Sequence, residues 1–315
     1  MDRTSPIFIA GHRGLVGSAL VRKLRQEGFT NLILRTRHEL DLTCLPAVDA
    51  FFAAVQPEYV FLAAGKVGGI HANSTYPADF IRNNLAIQLN VIDAAWRNNV
   101  RKLEFFGSSC IYPKFAPQPI KEEYLLSGPL ESTNEPYAIA KIAGIKLCQA
   151  YRAQYGFSAV ALMPTNLYGP GDHFDLENSH VLPALIRKFH DARESGMPEV
   201  TIWGTGTPRR EFLHVDDLAS AAIFLMQNYD DPEIVNVGTG EDLTIAELAA
   251  LIANCIGYRG ALRFDATKPD GTPRKLLDVS RLKALGWRPS IPMEQGIRAT
   301  YEWFSQNVVA ACAER

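Results

Sequence analysis

Two side chains that can move protons, Tyr137 and Lys141, stand four residues apart in the stretch NEPYAIAK. Four residues are about one turn of an α-helix, so both side chains should emerge on the same helix face. Pro136 suits a first helical turn and Gly156 suits a helix end, which places the pair at the start of a helix. A solvated helix face is the alternative for such a pair taken alone. The rest of the chain decides between the two interpretations.

A serine that could hold a substrate oxygen, Ser108, follows a buried-strand pattern in RKLEFFGSSCIYP. Reduction of a carbonyl group needs a proton donor for the oxygen that becomes an alkoxide as hydride arrives. The ordinary pKa of tyrosine is about 10, and a lysine cation close by should lower that of Tyr137. Lys141 could also bond a cofactor ribose while Ser108 holds the substrate oxygen. The three residues therefore predict carbonyl reduction, provided that the chain also binds a nicotinamide cofactor.

A glycine-rich turn links a buried-strand pattern to an amphipathic-helix pattern in PIFIAGHRGLVGSALVRKLRQEGF. Its glycines are Gly11, Gly14 and Gly17, spaced G-x-x-G-x-x-G. A dinucleotide pyrophosphate needs such a sharp turn, because it approaches the backbone closely at a helix N-terminus. A merely structural glycine turn is the alternative. The strand before and the helix after the turn favour dinucleotide binding.

The second strand pattern, NLILRTRHEL, ends without the acid that usually holds the ribose of NAD at that point. Arg35 and Arg37 stand near the same point, and Arg13 lies within the glycine turn. Arginines can grip a 2′-phosphate through forked, charge-assisted hydrogen bonds. Each arginine alone could equally be a surface residue. Together they favour NADP(H).

Strand and helix patterns alternate through the first half of the chain. YVFLAAG is typical of a buried parallel strand, and a long helix pattern follows around DFIRNNLAIQLNVIDAAWRNN. This alternation predicts an α/β fold with a doubly wound parallel (Rossmann) sheet. The Gly11 turn, Ala63–Ala64 and Ser108–Cys110 all follow strands, so they should meet at the carboxyl edge where ligands bind.

The domain organisation follows from where the alternation breaks. Residues 1–168 should form the nucleotide-binding domain, completed by about residues 211–238, because EIVNVGTG looks like a further sheet strand. Loops rich in glycine, proline and polar residues begin after about Tyr168. Residues 169–210 and 239–315 are expected to form a smaller mixed α/β substrate-binding domain.

Composition excludes several classes of protein. The chain has 315 residues, 47% of them hydrophobic, and a net charge of −2, so no basic field suggests a nucleic-acid partner. No apolar run is long enough to span a membrane, and the N-terminus enters a strand pattern without a secretory signal. The cysteines are scattered and predict neither disulfides nor a metal site, so the cytoplasm is the expected location. They are Cys44, Cys110, Cys148, Cys255 and Cys312.

The glycine turn, the serine and the Tyr-x-x-x-Lys pair, in this order, resemble the extended short-chain dehydrogenase/reductase family. Longer stretches are similar to the family of GDP-L-fucose synthases, from about Ile7 to Phe304. These are FIAGHRGLVGSA, LAAGKVGGIHANSTYPADFI, GSSCIYPK, ESTNEPYAIAKIAGIKLC, MPTNLYGPGDHF, NSHVLPALIRKFH, GTPRREFLHVDD and KPDGTPRKLLDV. The resemblance implies an enzyme that uses NADPH to convert GDP-4-keto-6-deoxy-D-mannose to GDP-L-fucose, by 3,5-epimerisation and then 4-keto reduction.

The resemblance also implies catalytic roles for Cys110 and His180. Epimerisation removes a proton beside the ketone and returns one to the opposite face, which demands a base and an acid on different sides. A thiol and an imidazole qualify, because both can titrate near neutrality. An inert core cysteine and a structural histidine are the alternatives. Which of the two residues would be the acid stays open.

Binding residues are likewise carried over from the resemblance. The implied cofactor contacts are Gly11, His12, Arg13, Gly14, Leu15, Val16, Gly17, Arg37, Asp41, Leu42, Ala63, Ala64, Lys141, Pro164, Asn166, Leu167 and His180. The implied substrate contacts are Lys188, Trp203, Arg210 and Asp270. The cations would meet phosphates, and the aspartate could accept hydrogen bonds from hydroxyl groups. A surface cation, a core tryptophan and a turn aspartate are the corresponding structural interpretations.

A homodimer with a four-helix interface is expected on the same basis. The helix patterns around Asn83–Asn99 and Tyr137–Tyr155 carry apolar residues on more than one side, which is more than one sheet contact needs.

Other functions fit the sequence less well. A 4,6-dehydratase usually has an acidic pair after the serine, which SSCIYP does not offer. Another nucleotide-sugar epimerase that retains NAD would not need Arg13 and Arg37. A catalytically inactive regulator that senses NADP would not need the intact catalytic set, which consists of Ser108, Tyr137, Lys141, Cys110 and His180.

Overall fold

A computed structural model describes residues 1–176, 179–268 and 270–309 of the chain, so Cys312 and the end of the expected second domain lie outside the described residues. The strands, numbered along the chain, are β1 (Ile7–Ala10), β2 (Leu32–Ile33), β3 (Tyr59–Leu62), β4 (Lys102–Phe106), β5 (Ala159–Pro164), β6 (Asn166–Tyr168), β7 (Glu199–Trp203), β8 (Arg209–Arg210), β9 (Phe212–His214), β10 (Val235–Val237), β11 (Leu243–Thr244), β12 (Ala261–Asp265) and β13 (Arg274–Lys275).

The helices follow the same numbering along the chain. They are α1 (Leu15–Gln26), α2 (Leu45–Val55), α3 (Ile70–Thr75), α4 (Pro77–Arg97), α5 (Glu135–Tyr155), α6 (Val181–Glu194), α7 (Val215–Asn228), α8 (Ile245–Ile256), α9 (Ser280–Ala284) and α10 (Met293–Phe304). Short 3₁₀ turns span Ser109–Ile111 and Glu122–Tyr124, and a π-helical turn spans Ser305–Val309. No helix among the described residues is long and apolar enough to cross a membrane.

The central sheet has six parallel strands in the order β10-β5-β4-β3-β1-β2. Helices α2, α4 and α5 cover one face through one hydrophobic cluster, and α1 and α7 cover the other face through a second. This confirms the predicted doubly wound parallel sheet, and β10 confirms the further strand that EIVNVGTG indicates. The strand order reverses between β1 and β3, and the crevice at such a point is where ligands bind in open α/β sheets.

The second strand is shorter than its sequence pattern predicts. Only Leu32–Ile33 pairs with β1, at the edge of the sheet. The chain then turns, because the Glu39 carboxylate accepts hydrogen bonds from the Thr36 amide at 2.7 Å and its hydroxyl at 2.8 Å. RTRHEL is therefore a loop that begins beside the carboxyl edge of the sheet.

Helix α5 begins and ends as predicted. Glu135 is its first residue, Pro136 lies in its first turn, and Gly156 ends it in the left-handed region at φ 68°. Asn134 occupies the N-cap position, but its side chain makes no capping hydrogen bond. The helix lies beside α4, and the amide of Gln88 donates a hydrogen bond across to the Ala140 carbonyl.

A smaller mixed α/β unit surrounds a third hydrophobic cluster, to which α6, α8 and α10 contribute. It contains the parallel pair β7–β12 and a three-stranded sheet in the order β11-β8-β13. The segment after β13 packs back on the central sheet, because Leu277 joins the first cluster and Trp287 the second.

The central sheet buries one carboxyl group without a partner. Glu104 of β4 is wholly buried between Phe61 and Val160 of the neighbouring strands. Neither carboxyl oxygen has a hydrogen-bond partner among the described residues. Lys102 does not bind it, because its ammonium group donates to main-chain carbonyls at the end of α7, including that of Met226 at 2.7 Å. Burial raises the pKa of Glu104 well above its ordinary value, so this side chain is neutral in the native protein.

Replacing Glu104 by glutamine should therefore change how stability depends on pH. The native carboxyl group keeps its proton while the unfolded one releases it above about pH 4.5, so rising pH destabilises the wild type by up to about 1.4 kcal/mol per pH unit. Glu104→Gln should lose this slope and gain stability relative to wild type between pH 5 and 8, as measured by urea unfolding. The exposed Glu123→Gln is the control, and a parallel slope for Glu104→Gln would contradict the expectation.

Candidate active site

The glycine turn is closed by two of its three glycines. Gly11 has a φ of +85°, and a Cβ atom there would lie 2.8 Å from the Cα atom of Ala64. A Cβ atom on Gly17 would lie 2.1 Å from the carbonyl oxygen of Gly11. Gly14 is different, because its Cβ would make only an ordinary contact at 3.4 Å. The first and third glycines thus bring β1, β3 and α1 together, whereas the second leaves space above the turn.

The N-terminus of α1 is open toward this turn. Gly14 is its N-cap, and no side chain caps its first amide groups. Free amide groups at a helix N-terminus attract phosphate. The Nδ1 atom of His12, a residue of the glycine turn, is buried without a hydrogen-bond partner among the described residues, and burial followed by Arg13 lowers the pKa of this histidine. These features fit the diphosphate of a dinucleotide.

The three arginines predicted to bind a 2′-phosphate differ in exposure and in their side-chain contacts. Arg13 is exposed, and the Arg37 side chain is 82% exposed with its Nε atom 3.9 Å from Asp41. Arg35 instead lies over the ring of Phe51 at 5.8 Å and donates to the Leu34 carbonyl at 2.9 Å. Arg13 and Arg37 are therefore the cations available to a 2′-phosphate.

Asp41 and Leu42, two further implied cofactor residues, lie in a turn. The Asp41 carboxylate accepts hydrogen bonds from the amide of Thr43 at 2.9 Å and its hydroxyl at 2.7 Å, which lower the pKa of Asp41. The Leu42 carbonyl accepts a hydrogen bond from Asn90 of α4 at 3.0 Å. These contacts fix the loop that carries Arg37.

The carboxyl ends of β3 and β5 supply the other implied cofactor positions. The Ala63 amide donates to the Ala10 carbonyl at 3.1 Å, which sets Ala63–Ala64 beside the glycine turn. Pro164 ends β5, and the Asn166 amide group donates to the Glu211 carbonyl at 2.8 Å. Leu167 packs against the second hydrophobic cluster.

The structure brings Ser108, Cys110 and Tyr137 together at the end of β4. The Ser108 side chain lies close enough to Tyr137 to act on its pKa, and the Ser108 Oγ atom accepts the Cys110 amide at 3.3 Å. Tyr137 is half-buried, and its ring packs edge-on against Phe80 of α4. A substrate oxygen held here would therefore meet a hydroxyl acid with a thiol close by.

Lys141 does not act on Tyr137 as the spacing suggests. Its Nζ atom donates to the Phe106 carbonyl at 2.7 Å and lies 5.9 Å from the centre of the Tyr137 ring. Burial lowers the pKa of Lys141 to about 8. The pKa of Tyr137 is raised above its ordinary value by burial and by Cys110, against the lowering effect of the Ser108 side chain. The hydroxyl thus keeps its proton at neutral pH, which is the state a proton donor needs.

His180 and Cys110 are connected by a residue that the sequence patterns did not single out. His180 is the N-cap of α6, and burial followed by the charge of Lys275 lowers its pKa. The ammonium group of Lys275 also donates to the Cys110 sulfur at 3.6 Å. Lys275 lies within the quoted stretch KPDGTPRKLLDV, but no local pattern connects it to a cysteine 165 residues away.

Two of the implied substrate residues form an exposed aromatic platform. Trp203 ends β7 and is 61% exposed. The ammonium groups of Lys188 and Lys268 lie over its ring at 5.2 and 5.5 Å. Lys188 also donates to the Thr201 carbonyl at 3.4 Å. An exposed indole flanked by cations suits a nucleotide base and its phosphates.

The other two implied substrate residues lie close to each other. Arg210 of β8 is largely buried, which lowers its pKa, while Asp270 opposes that shift. The Asp270 carboxylate accepts the Thr205 amide at 2.7 Å and hydroxyl at 2.8 Å, so it organises the loop after Trp203. The structure therefore gathers all four residues on the smaller unit.

Known proteins resemble this chain in sequence and in fold. Residues 7–238 match the model of the NAD dependent epimerase/dehydratase family. A probable GDP-L-fucose synthase of Oryza sativa subsp. japonica is 63% identical over 98% of this chain and 95% of its own length. The GDP-L-fucose synthase of Escherichia coli is 58% identical over 96% and 97%.

A solved structure agrees with these relatives. The GDP-L-fucose synthetase of Naegleria fowleri bound to NADP is 28% identical and superposes with a TM-score of 0.90, covering 98% of this chain and 96% of its own. The fold, the glycine turn with its open helix terminus and these matches agree with one another. This chain therefore belongs to the NAD dependent epimerase/dehydratase family and, within it, to the GDP-L-fucose synthase family.

Proposed function

We propose that this protein converts GDP-4-keto-6-deoxy-D-mannose to GDP-L-fucose, with NADPH as the reductant. The observation that carries the proposal is the meeting of Ser108, Tyr137 and Cys110 at one strand end, in a chain related over its whole length to GDP-L-fucose synthases. A simple reductase needs the hydroxyl groups but no thiol. An enzyme that also epimerises beside the ketone needs both.

The reduction uses the protonated tyrosine. NADPH supplies a hydride to carbon 4 when it is bound. Ser108 holds the ketone oxygen, and Tyr137 gives its proton to that oxygen as negative charge develops there. The raised pKa of Tyr137 keeps the proton in place until the much more basic alkoxide forms. Lys141, anchored on the Phe106 carbonyl, is left to hold the cofactor ribose.

The epimerisation uses Cys110 and His180. The ketone at carbon 4 acidifies the hydrogens on carbons 3 and 5, because the enolate places its charge on the oxygen beside Ser108. One of the two residues takes a proton from each carbon, and the other returns one from the opposite face. The His180 side chain is exposed, so it can exchange protons with water, and desolvation followed by the charge of Lys275 lowers its pKa.

The GDP moiety is proposed to lie across the smaller unit. The exposed face of Trp203 would stack on guanine, while Lys188 and Arg210 would meet the diphosphate. Asp270 orders the adjacent loop through Thr205 and would accept a sugar or ribose hydroxyl. We propose the division into a cofactor domain of residues 1–168 and 211–238 and a GDP-sugar domain from the rest, with the segment after β13 crossing back.

The 2′-phosphate of NADPH is assigned to Arg13 and Arg37. Replacing Arg37 by alanine should weaken NADPH binding by about tenfold or more, because a charge-assisted hydrogen bond contributes about 1.5–3 kcal/mol. NADH binding should hardly change, since NADH has no such phosphate. Fluorescence titration of both cofactors measures this. Arg35→Ala is the matched control, because Arg35 lies on Phe51. Equal losses for both cofactors would refute the assignment.

A homodimer is proposed through α4 and α5. Leu85 and Leu89 lie one turn apart on α4 and are 36% and 52% exposed. Ile139 and Tyr155 of α5 are 42% and 45% exposed. Adjacent helices that expose large apolar side chains are suited to pack against their symmetry mates as a four-helix interface.

Replacing Leu89 by glutamate should dissociate this dimer. Leu89 is 52% exposed, so the charge is tolerated in a monomer but would face its own copy in an isologous interface. Sedimentation velocity should show the dimer mass for wild type and the monomer mass for Leu89→Glu. Met197→Glu, which alters an exposed residue of the smaller unit, should remain dimeric. A wild-type mass of one chain at all concentrations would contradict the proposal.

A cytoplasmic location is proposed from the state of the cysteines. Cys44, Cys110, Cys148 and Cys255 are all free thiols in the structure. Free thiols persist in a reducing compartment.

The experiment that tests the function is incubation with GDP-4-keto-6-deoxy-D-mannose and NADPH, followed by product identification by NMR. The expected product is GDP-L-fucose, with one NADPH oxidised for each molecule formed. A reduced product that keeps the original configuration at carbons 3 and 5 would indicate a reductase without epimerase activity. No NADPH oxidation would contradict the proposal altogether.

A further inference from the structure

The positively charged side chain of Lys275 lies near both residues proposed for epimerisation, Cys110 and His180. Its Nζ atom is 3.6 Å from the Cys110 sulfur, and its charge also acts on His180. Among the described residues, no carboxylate forms an ion pair with Lys275. Its charge therefore acts on the thiol and the imidazole.

The main chain around Lys275 is held on two sides. Its carbonyl accepts the Glu211 amide at 3.3 Å, and β13 runs parallel to β8 with Lys275 opposite Arg210. The next amide, that of Leu276, donates to the Gln118 side chain at 2.9 Å. This strand joins the smaller unit to the loop that follows Cys110. The main chain of Lys275 is therefore fixed, and its side chain extends from there to the Cys110 sulfur.

A buried carboxyl group reinforces that position. Glu211 accepts hydrogen bonds from the amides of Leu277 at 2.9 Å and Gly240 at 2.7 Å. The Glu211 carboxylate therefore binds main-chain amides next to β13 and holds that segment in place. Among the described residues, Lys275 of β13 contacts the Cys110 sulfur, Tyr137 of α5 interacts electrostatically with Cys110, and Ser108 accepts the Cys110 main-chain amide. Lys275 is the cation in this set.

We propose that Lys275 is a positioning residue for Cys110, whose ammonium group holds the sulfur atom and stabilises its thiolate form during epimerisation. This inference rests on the proposed epimerase activity. A cation beside a cysteine favours the thiolate. An opposite charge within about 4–6 Å shifts a titration by about one to three pH units.

The thiolate is needed whichever way the proton moves. If sulfur is the base, the thiolate takes the proton from carbon and the C–H electron pair passes into the enolate. His180, in its protonated imidazolium form, then gives a proton to the other face and becomes neutral imidazole. If sulfur is the acid, the imidazole takes the proton and the thiol gives its own to the other face, leaving a thiolate. In both cases sulfur and imidazole each exchange one proton with carbon, and exchange with water restores them.

The first test needs no substrate and compares Lys275→Met with wild type. Alkylation of Cys110 by iodoacetamide is followed against pH, with peptide mass spectrometry to separate it from the other cysteines. Because thiolate is the reactive form, Cys110 in Lys275→Met should be alkylated about tenfold more slowly at pH 7 and should reach its half-maximal alkylation rate at a higher pH than in wild type. Lys275→Arg, which keeps a cation, should stay near the wild-type midpoint. An unchanged midpoint in Lys275→Met would overturn the proposal.

The second test measures exchange of substrate protons with deuterated water. At pH 7 the initial exchange rate at saturating substrate should fall about tenfold or more in Lys275→Met, recover as pH rises, and be largely restored in Lys275→Arg. A residue that only binds substrate would raise KM and leave the pH profile unchanged, which would also overturn the proposal. Lys121→Met, at an exposed site, is the control. Near-ultraviolet circular dichroism and NADPH binding check that each variant is folded.

The outcomes also separate this proposal from the function itself. A wild-type protein that makes no GDP-L-fucose contradicts the proposed function, while the alkylation midpoints still report on Lys275. A wild-type protein that makes GDP-L-fucose, together with equal midpoints for wild type and Lys275→Met, contradicts only the role of Lys275.

Discussion

Replacing Tyr137 by phenylalanine should lower the rate of NADPH oxidation with GDP-4-keto-6-deoxy-D-mannose by about a hundredfold to ten-thousandfold, the usual cost of losing a positioned general acid. The substitution removes only the hydroxyl that donates the proton. The ring should keep its edge-on contact with Phe80, so the fold and the pocket should survive. Reduction fails because the alkoxide forming at carbon 4 has no proton source beside Ser108.

The same variant should still exchange substrate protons with solvent deuterium. Enolate formation needs Cys110 and His180 but neither a hydride nor the Tyr137 proton. NMR of the recovered sugar nucleotide measures that exchange, and NADPH absorbance measures the reduction. Tyr151→Phe is the control on the same helix, since the Tyr151 hydroxyl binds Asp93 outside the site. Loss of both activities in Tyr137→Phe would mean that one group serves both steps.

Local patterns predicted the elements that carry this chemistry. The strands of the central sheet are short and largely apolar, and the pattern of EIVNVGTG identified β10 although it lies far along the chain. The Tyr137–Lys141 spacing predicted one helix face correctly, because helical geometry follows directly from sequence separation. What the spacing could not predict is the direction of the lysine head group. It binds the Phe106 carbonyl, a partner 35 residues away on another element.

Contacts between distant segments explain what the sequence patterns missed. Lys275 reaches Cys110 only because β13 pairs with β8 in the smaller unit. The sequence pattern predicted a longer edge strand β2 than the structure has, because the turn between Thr36 and Glu39 competes with strand pairing. The conversion of Tyr137 from an expected low-pKa group into a protonated acid depends on burial, which is a property of the packed tertiary structure.

Replacing Cys110 by serine should produce the reverse of the tyrosine variant. A serine hydroxyl is similar in shape, but it ionises far less readily than a thiol, so proton exchange at carbons 3 and 5 should fall by about a hundredfold or more. Tyr137 and Ser108 remain in place. NADPH should therefore still be consumed slowly, with direct reduction of the ketone that has not been epimerised.

Deuterium incorporation and product configuration, both read by NMR, test this expectation. Cys44→Ser is the matched control, because Cys44 is an exposed thiol at the N-cap of α2 and should leave both steps unchanged. Epimerisation at the wild-type rate in Cys110→Ser would show that the thiol is only a packed side chain. The contact from Lys275 would then have no catalytic consequence, whereas the reductase assignment of Tyr137 would stand, because reduction depends on the hydroxyl at the oxygen and not on the thiol.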